Sequence, residues 1–144
     1  MNSAVILRIS ARYLAPMLLV VSIALLLRGH NQPGGGFIGG LLAASALSLY
    51  ALAYGSIRAR QILRLDPRTL IAGGLLIALS SGIPSMVAGV PWLTAFWTFP
   101  QLPVIGALPL GTPLWFDIGI YVGVIGFTLT IVFALAENDE GEDT

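Results

Sequence analysis

Three residues of this chain are the best suited to proton or cation chemistry: His30, Asn31 and Asp117, and His30 is its only histidine. Imidazole and carboxylate groups can exchange protons, and carboxylate and amide oxygens can bind a cation. Each residue also has a structural interpretation. The loop residues would fix local structure by hydrogen bonds, and Asp117 would cap a helix terminus or bond to nearby backbone or to Arg28. The sequence leaves these alternatives open.

His30 and Asn31 lie in a glycine-rich segment that runs from Arg28 to Gly40. Residues 34–40 hold five of the 17 glycines of the chain. Glycine lets the backbone bend sharply or approach a neighbour closely, at a cost in chain entropy. A nucleotide-binding loop is excluded because no Gly-Lys-Ser/Thr follows. The segment is therefore predicted to allow a tight start of the following helix and close backbone packing.

Composition indicates an integral membrane protein. Hydrophobic residues make up 56% of the 144 residues and charged residues only 10%, whereas soluble chains carry roughly 25% charged residues. Residues 37–57 and 69–116 contain no charge at all. With no cysteine and one histidine, the chain is expected to hold no disulfide, metal or other cofactor. Its zero net charge gives no indication of a nucleic-acid partner.

The apolar runs predict an all-α protein with four transmembrane helices, the first of them uncleaved. Asp66-Pro67 and Thr112-Pro113 are helix starts, in which a capping side chain precedes a proline at the first helical position. Pro84 is expected to kink the third helix. The predicted spans are about 4–27, 36–57, 67–89 and 113–136. Together they form one domain, 1–136, followed by an acidic disordered tail, 137–144.

The segment between the third and fourth spans is apolar but cannot be a regular spanning helix. Residues 91–112 contain four prolines, at positions 91, 100, 103 and 109. Trp92, Phe96, Trp97 and Phe99 resemble an interfacial aromatic belt. The segment is predicted to be a hairpin or re-entrant loop on the membrane surface, covered by a partner. A fifth span is the alternative.

The arginines predict the orientation. Six of the seven arginines share one side of a four-span topology, and Arg28 stands alone on the other. The positive-inside rule then places both termini in the cytoplasm and the 91–112 loop outside. Four of these arginines, Arg58, Arg60, Arg64 and Arg68, are predicted to anchor the chain to anionic lipid, with the acidic surface of a partner as the alternative.

Small residues recur at steps of three and four along three of the spans. The second span carries Gly36, Gly40 and Ala44; the fourth carries Gly119 and Gly123. The third repeats the pattern from Gly74. Such faces let membrane helices approach closely. Three of them exceed what internal packing of four helices requires, so they predict assembly with other subunits.

No span has a charge near its centre, whereas proton pumps and transporters place ionisable residues there. Asp117 comes closest, near the predicted start of the fourth span. This pattern argues against ion transport by the chain alone.

Two segments carry a resemblance to a known family. The first is Gly29-His30-Asn31-Gln32-Pro33-Gly34-Gly35-Gly36-Phe37-Ile38-Gly39-Gly40-Leu41, and the second is Leu110-Gly111-Thr112-Pro113-Leu114-Trp115-Phe116-Asp117-Ile118-Gly119. They resemble the MnhB family, the B subunits of Mrp-type multisubunit cation/proton antiporters. The resemblance extends over most of the chain.

The resemblance implies a small multi-pass subunit in a bacterial or archaeal inner membrane. Its implied partners are the large antiporter-like subunits and the other small membrane subunits of a complex that exchanges Na⁺ or another monovalent cation for H⁺. The alternative is the equivalent subunit of a redox-driven ion pump, such as a membrane-bound hydrogenase-like complex. A third hypothesis, an enzyme using His30 and Asp117, lacks a nucleophile motif such as Gly-x-Ser-x-Gly.

Overall fold

The computed structural model describes residues 3–29, 34–103, 106–107 and 110–142. The helices are α1 (Ser3–Arg28), α2 (Gly36–Tyr54), α3 (Ser56–Leu63), α4 (Pro67–Ser80), α5 (Ile83–Val87) and α6 (Thr112–Glu142); the strands are β1 (Trp97–Thr98), β2 (Gln101–Leu102), β3 (Gly106–Ala107) and β4 (Leu110–Gly111). Four helical segments are long and apolar enough to cross a membrane: Ser3–Arg28, Gly36–Tyr54, a stretch within Ser56–Val87, and Thr112–Asn138. The predicted helical protein with four spans is confirmed at this level.

The spanning helices pack side by side in the order α1, α2, α6, α4, with α2 and α6 at the centre. Most buried apolar residues are alanines, and the largest fully buried side chains are Leu129 and Phe133 of α6. Small side chains let helix backbones approach closely, so that dispersion forces hold them together. Large apolar side chains lie exposed on the outer faces of the helices, where lipid or other subunits can cover them.

The second span ends earlier than predicted. Gly55 has a φ of 95°, a left-handed conformation that ends α2 at Tyr54 rather than at Ile57. The separate helix α3 follows, which the sequence analysis did not predict. The predicted start of the next helix is confirmed, because the Asp66 side chain accepts a hydrogen bond from the Arg68 N–H at 2.8 Å and Pro67 lies in the first turn.

Arg60 of α3, one of the arginines predicted to anchor the chain to anionic lipid, contacts the end of α6 in the same chain. Its Nη2 lies 2.7 Å from Oε1 of Glu137, and its guanidinium carbon lies 4.8 Å from the centre of the Phe133 ring. The sequence predicted that the last helix ends near Ala136 and that a disordered tail follows. Instead α6 continues to Glu142; glutamate, the commonest residue of this extension, favours helix, and Glu137 pairs with Arg60.

The third span is interrupted at Ser81 and Gly82, close to Pro84, where a kink was predicted, and both residues keep right-handed helical backbone angles. The helix α4 ends at Ser80, and α5 begins at Ile83. Pro84 lacks the N–H that would bond to the Ser80 carbonyl, and its ring would clash with that carbonyl, so it interrupts the regular hydrogen bonding of the helix at this point. Two buried hydroxyls are satisfied beside the break: Ser81 Oγ donates to the Ala78 carbonyl at 2.6 Å, and Ser85 Oγ to the Gly82 carbonyl at 2.7 Å.

The predicted hairpin between the third and fourth spans is confirmed within the described residues. The strands β1 and β4 pair antiparallel, with Trp97 opposite Gly111, and β2 pairs with β3 inside them. Because the prolines prevent a regular helix here, strand pairing supplies hydrogen-bond partners to the backbone N–H and C=O groups instead. The hairpin is tied to the start of α6 because Thr112 donates its N–H to the Phe96 carbonyl and accepts the Phe96 N–H on its hydroxyl, both at 3.1 Å.

Candidate functional site

The described glycines of the glycine-rich segment bring the end of α1 against the start of α2. Gly35 has a φ of 97°, and its N–H donates to the Leu25 carbonyl oxygen at 3.0 Å. A Cβ on Gly34 would lie 2.8 Å from the same oxygen, and a Cβ on Gly29 would collide with the backbone of Gly35. Backbone therefore packs on backbone here, as the glycines predicted, and side chains would force the two helices apart.

The first two turns of α2 pack directly on α6. Gly36 is buried against the backbone carbonyl of Asp117, where a Cβ would collide. One turn further, a Cβ on Gly40 would lie 2.9 Å from both the Tyr121 carbonyl oxygen and the Val124 Cβ. Real Cβ contacts are almost never this short, and backbone atoms cannot move aside as a flexible side chain can.

A partly buried hydrogen bond joins α1 to α6 beside this contact. Ser22 Oγ lies 2.7 Å from the Tyr121 hydroxyl, and Ser22 is fully buried. Gly39 leaves the necessary space, because a Cβ there would lie 2.9 Å from the Ser22 carbonyl oxygen and 3.3 Å from the Tyr121 ring. This pair was not predicted from the sequence. Its signal was a serine and a tyrosine within apolar spans, where buried hydroxyls need a partner.

Asp117 lies further into its helix than a capping residue would. It lies in the second turn of α6, and the first turn of that helix carries no acid. The effect of a helix dipole falls off within the first turn, so Asp117 does not cap its own helix. Its Oδ2 lies only 3.4 Å from where a Cβ of Gly35, the N-cap residue of α2, would be. The half-buried carboxylate is thus placed at the N-terminus of a neighbouring helix.

The helix α4 packs on α6 through a second set of glycines. A Cβ on Gly74 would collide with the Gly123 N–H and lie 2.6 Å from the Gly119 carbonyl oxygen. A Cβ on Gly119 would in turn collide with the backbone of Ala78. The small-residue faces that predicted contacts with other subunits are therefore used within the chain, because each glycine row faces a helix of the same bundle.

The structure brings most of the predicted packing residues together, and one of them points elsewhere. Gly29, Gly34, Gly35, Gly36, Gly39 and Gly40 gather where α1, α2 and α6 meet, and Gly119 and Gly123 lie between α6 and α4. Phe37 is 58% exposed and belongs to the outer surface. His30, Asn31 and Pro33 lie outside the described residues.

The site is therefore a centre of backbone packing that includes one carboxylate. In the part of the chain that the structure describes, no group of three or more histidine, cysteine or acidic residues could hold a metal ion. Four apolar helices, joined by glycine contacts and carrying large apolar residues on their outer faces, define a small multi-pass membrane protein.

Comparison with known proteins shows the family. Residues 6–130 match the family described as a domain related to the MnhB subunit of Na⁺/H⁺ antiporter. The B subunit of the Na⁺/H⁺ antiporter of Alkalihalophilus pseudofirmus is 42% identical over 138 residues, 96% of each chain. That of Bacillus subtilis is 38% identical over 134 residues, 93% of this chain and 94% of the relative. This chain belongs to the MnhB family, which confirms the resemblance seen in its two motif segments.

The fold also matches a solved structure. A chain in the structure of the Mrp complex from Dietzia sp. superposes with a TM-score of 0.75 at 32% sequence identity. The match covers 92% of this chain and 14% of that longer chain. An MnhB-like fold thus occurs there as part of a larger polypeptide.

Proposed function

We propose that this chain is a small subunit of a multisubunit Na⁺/H⁺ antiporter in the cell membrane. One observation carries the proposal: 42% identity to the B subunit of an Na⁺/H⁺ antiporter along 96% of both chains. The partners are the other membrane subunits of the complex. The redox-driven pump is not favoured, because the two relatives described above are both named as antiporter subunits.

Within such a complex, we propose that the chain acts by helix packing and does not exchange ions alone or catalyse a reaction. Ion carriers place ionisable groups at mid-membrane depth, and Asp117 lies only in the second turn of α6. The carboxylate faces the first residues of α2, where its charge favours the helix terminus. Asp117, His30 and Asn31 are the residues through which the chain would contribute to an ion route.

We further infer that both termini lie in the cytoplasm. Contacts gather the relevant arginines at one end of the bundle: Arg8 Nε donates to the Ala53 carbonyl at 3.2 Å near the end of α2, and Arg60 pairs with Glu137 near the end of α6. Arginine-rich ends of membrane proteins face the cytoplasm. The glycine-rich segment and the hairpin then lie on the outer side of the membrane.

Reconstitution tests this proposal directly. Vesicles that contain only this chain are expected to show no Na⁺/H⁺ exchange, whereas vesicles that contain the whole complex exchange the ions. Internal pH is followed with a fluorescent dye after a Na⁺ pulse. The complex purified without this chain is the control, and it is expected to have lost most of its exchange because a packing subunit is absent.

Robust exchange by the isolated chain would overturn the packing role. Full exchange by the complex that lacks the chain would overturn its place in the antiporter. The two failures are distinguishable because they come from different vesicle preparations.

A further inference from the structure

A groove of about 400 Å³ opens on the outer face of the bundle between α1, α2 and α3. Its buried floor is made of Ala11, Ala15 and Ala46, and Leu47 and Tyr50 contribute to the wall. Because alanine side chains are small, they leave a narrow apolar slot between the two helices. It is remote from the contacts of α6 with Gly36 and Gly74 described above.

The groove has one cationic end. Arg12 lines it near the end of the bundle that carries the other arginines. The antiparallel register of α1 and α2 fixes its depth: Arg8 bonds to Ala53, and Ser22 packs on Gly39, so Arg12 lies level with Tyr50. Arg12 is thus one turn further into the bundle than Arg8.

Arg12 also differs from its neighbours in its contacts. Arg8 bonds to the Ala53 carbonyl, and Arg60 pairs with Glu137. Among the described residues, none forms a hydrogen bond or an ion pair with Arg12, and its side chain is exposed. A cation without a partner at the end of a lipid-facing apolar slot is complementary to an amphiphile with a negative head and an acyl tail.

We propose that this groove binds one anionic phospholipid, with its phosphate at Arg12 and an acyl chain along Ala15 and Ala46. Charge favours this occupant over a helix of another subunit. A lipid carries its phosphate at the depth of the membrane surface, where Arg12 lies, whereas an apolar helix would leave the guanidinium buried without a partner, which is costly. The side chain of Ile62 from α3 lines the same groove and adds apolar contact to the chain.

The test uses the whole antiporter complex in nanodiscs that contain a trace of phosphatidylglycerol with a photoactivatable group on its acyl chain. After irradiation, labelled peptides of this chain are quantified by mass spectrometry. Labelling of the peptides around Ala15 and Ala46 is expected to fall about fivefold in Arg12→Gln, equivalent to about 1 kcal/mol for one arginine–lipid contact. Arg12→Lys should keep most of the labelling because the charge remains.

Two controls make the result specific. Arg58→Gln removes an exposed arginine of α3 that was predicted to contact anionic lipid but does not line the groove, so labelling of the peptides around Ala15 and Ala46 should stay unchanged. Phosphatidylcholine with the same photoactivatable chain should label the groove more weakly than phosphatidylglycerol does. Equal labelling by both lipids, unaffected by Arg12→Gln, would show that lipids contact the groove only transiently and without head-group preference. This result would overturn the proposal. Labelling of the isolated chain but not of the complex would show that another subunit fills the groove and overturn it too.

Discussion

Gly74→Leu is expected to abolish incorporation of this chain into its complex, whereas Gly73→Leu leaves incorporation intact. A side chain at Gly74 would enter the backbone of α6 at Gly119 and Gly123, while a Cβ at Gly73 meets nothing within 4 Å. Overpacking of a core typically costs about 1–3 kcal/mol. At Gly74 the cost should exceed that range, because the obstructing atoms belong to the backbone and the helices must separate.

The two glycines are adjacent on one helix, so they form a matched pair. Both substitutions add the same apolar side chain and the same gain in helix propensity. The measurement is the amount of this chain that copurifies with its neighbouring subunits in mild detergent, divided by its amount in the membrane. The packing of α4 on α6 described above would be wrong if the two variants copurified equally well.

Gly40→Leu is expected to have the second largest effect, through the contact of α2 with α6. The new side chain would meet the Tyr121 carbonyl and the Val124 side chain. The amount of assembled complex should fall steeply, yet the exchange rate of each complex that does assemble should change little, because the substitution acts on packing and not on chemistry.

Ser45→Leu is the control for this substitution. Ser45 is exposed on α2, and its hydroxyl bonds only to the Leu41 carbonyl of its own helix in the described structure. The same side chain placed there faces outward and should leave assembly close to normal. Normal assembly of Gly40→Leu with lost exchange would contradict the packing role and indicate that the glycine segment takes part in ion passage.

The sequence predicted the features that local residue chemistry determines. Uncharged apolar runs located the four spans, the Asp66-Pro67 pair located the start of α4, and the prolines of residues 91–112 excluded a regular helix there. Each of these depends on groups close together in the chain, namely a capping oxygen, a missing N–H or a run of apolar side chains.

The features that it did not predict depend on which helices touch. The glycine rows indicated close contact but not with which helix, and the structure uses Gly36 and Gly74 inside the chain. The bond between Ser22 and Tyr121 joins residues 99 positions apart, and the extension of α6 past Ala136 brings Glu137 to Arg60. No local pattern encodes such pairings.

The most direct test of the central claim, that this chain acts by packing rather than by carrying the ion, is Na⁺/H⁺ exchange by the assembled Asp117→Asn complex. A charge at the N-terminus of α2 contributes about 0.3–1 kcal/mol, and up to about 2 kcal/mol when partly buried. Asparagine keeps an acceptor oxygen of nearly the same shape, so most of the complex should assemble and each complex should retain most of its exchange. Asp117→Ala should weaken assembly more than Asp117→Asn does, because alanine has no acceptor oxygen. An assembled Asp117→Asn complex without exchange, partly rescued by Asp117→Glu, would contradict the claim and show that this carboxylate relays a proton or a cation.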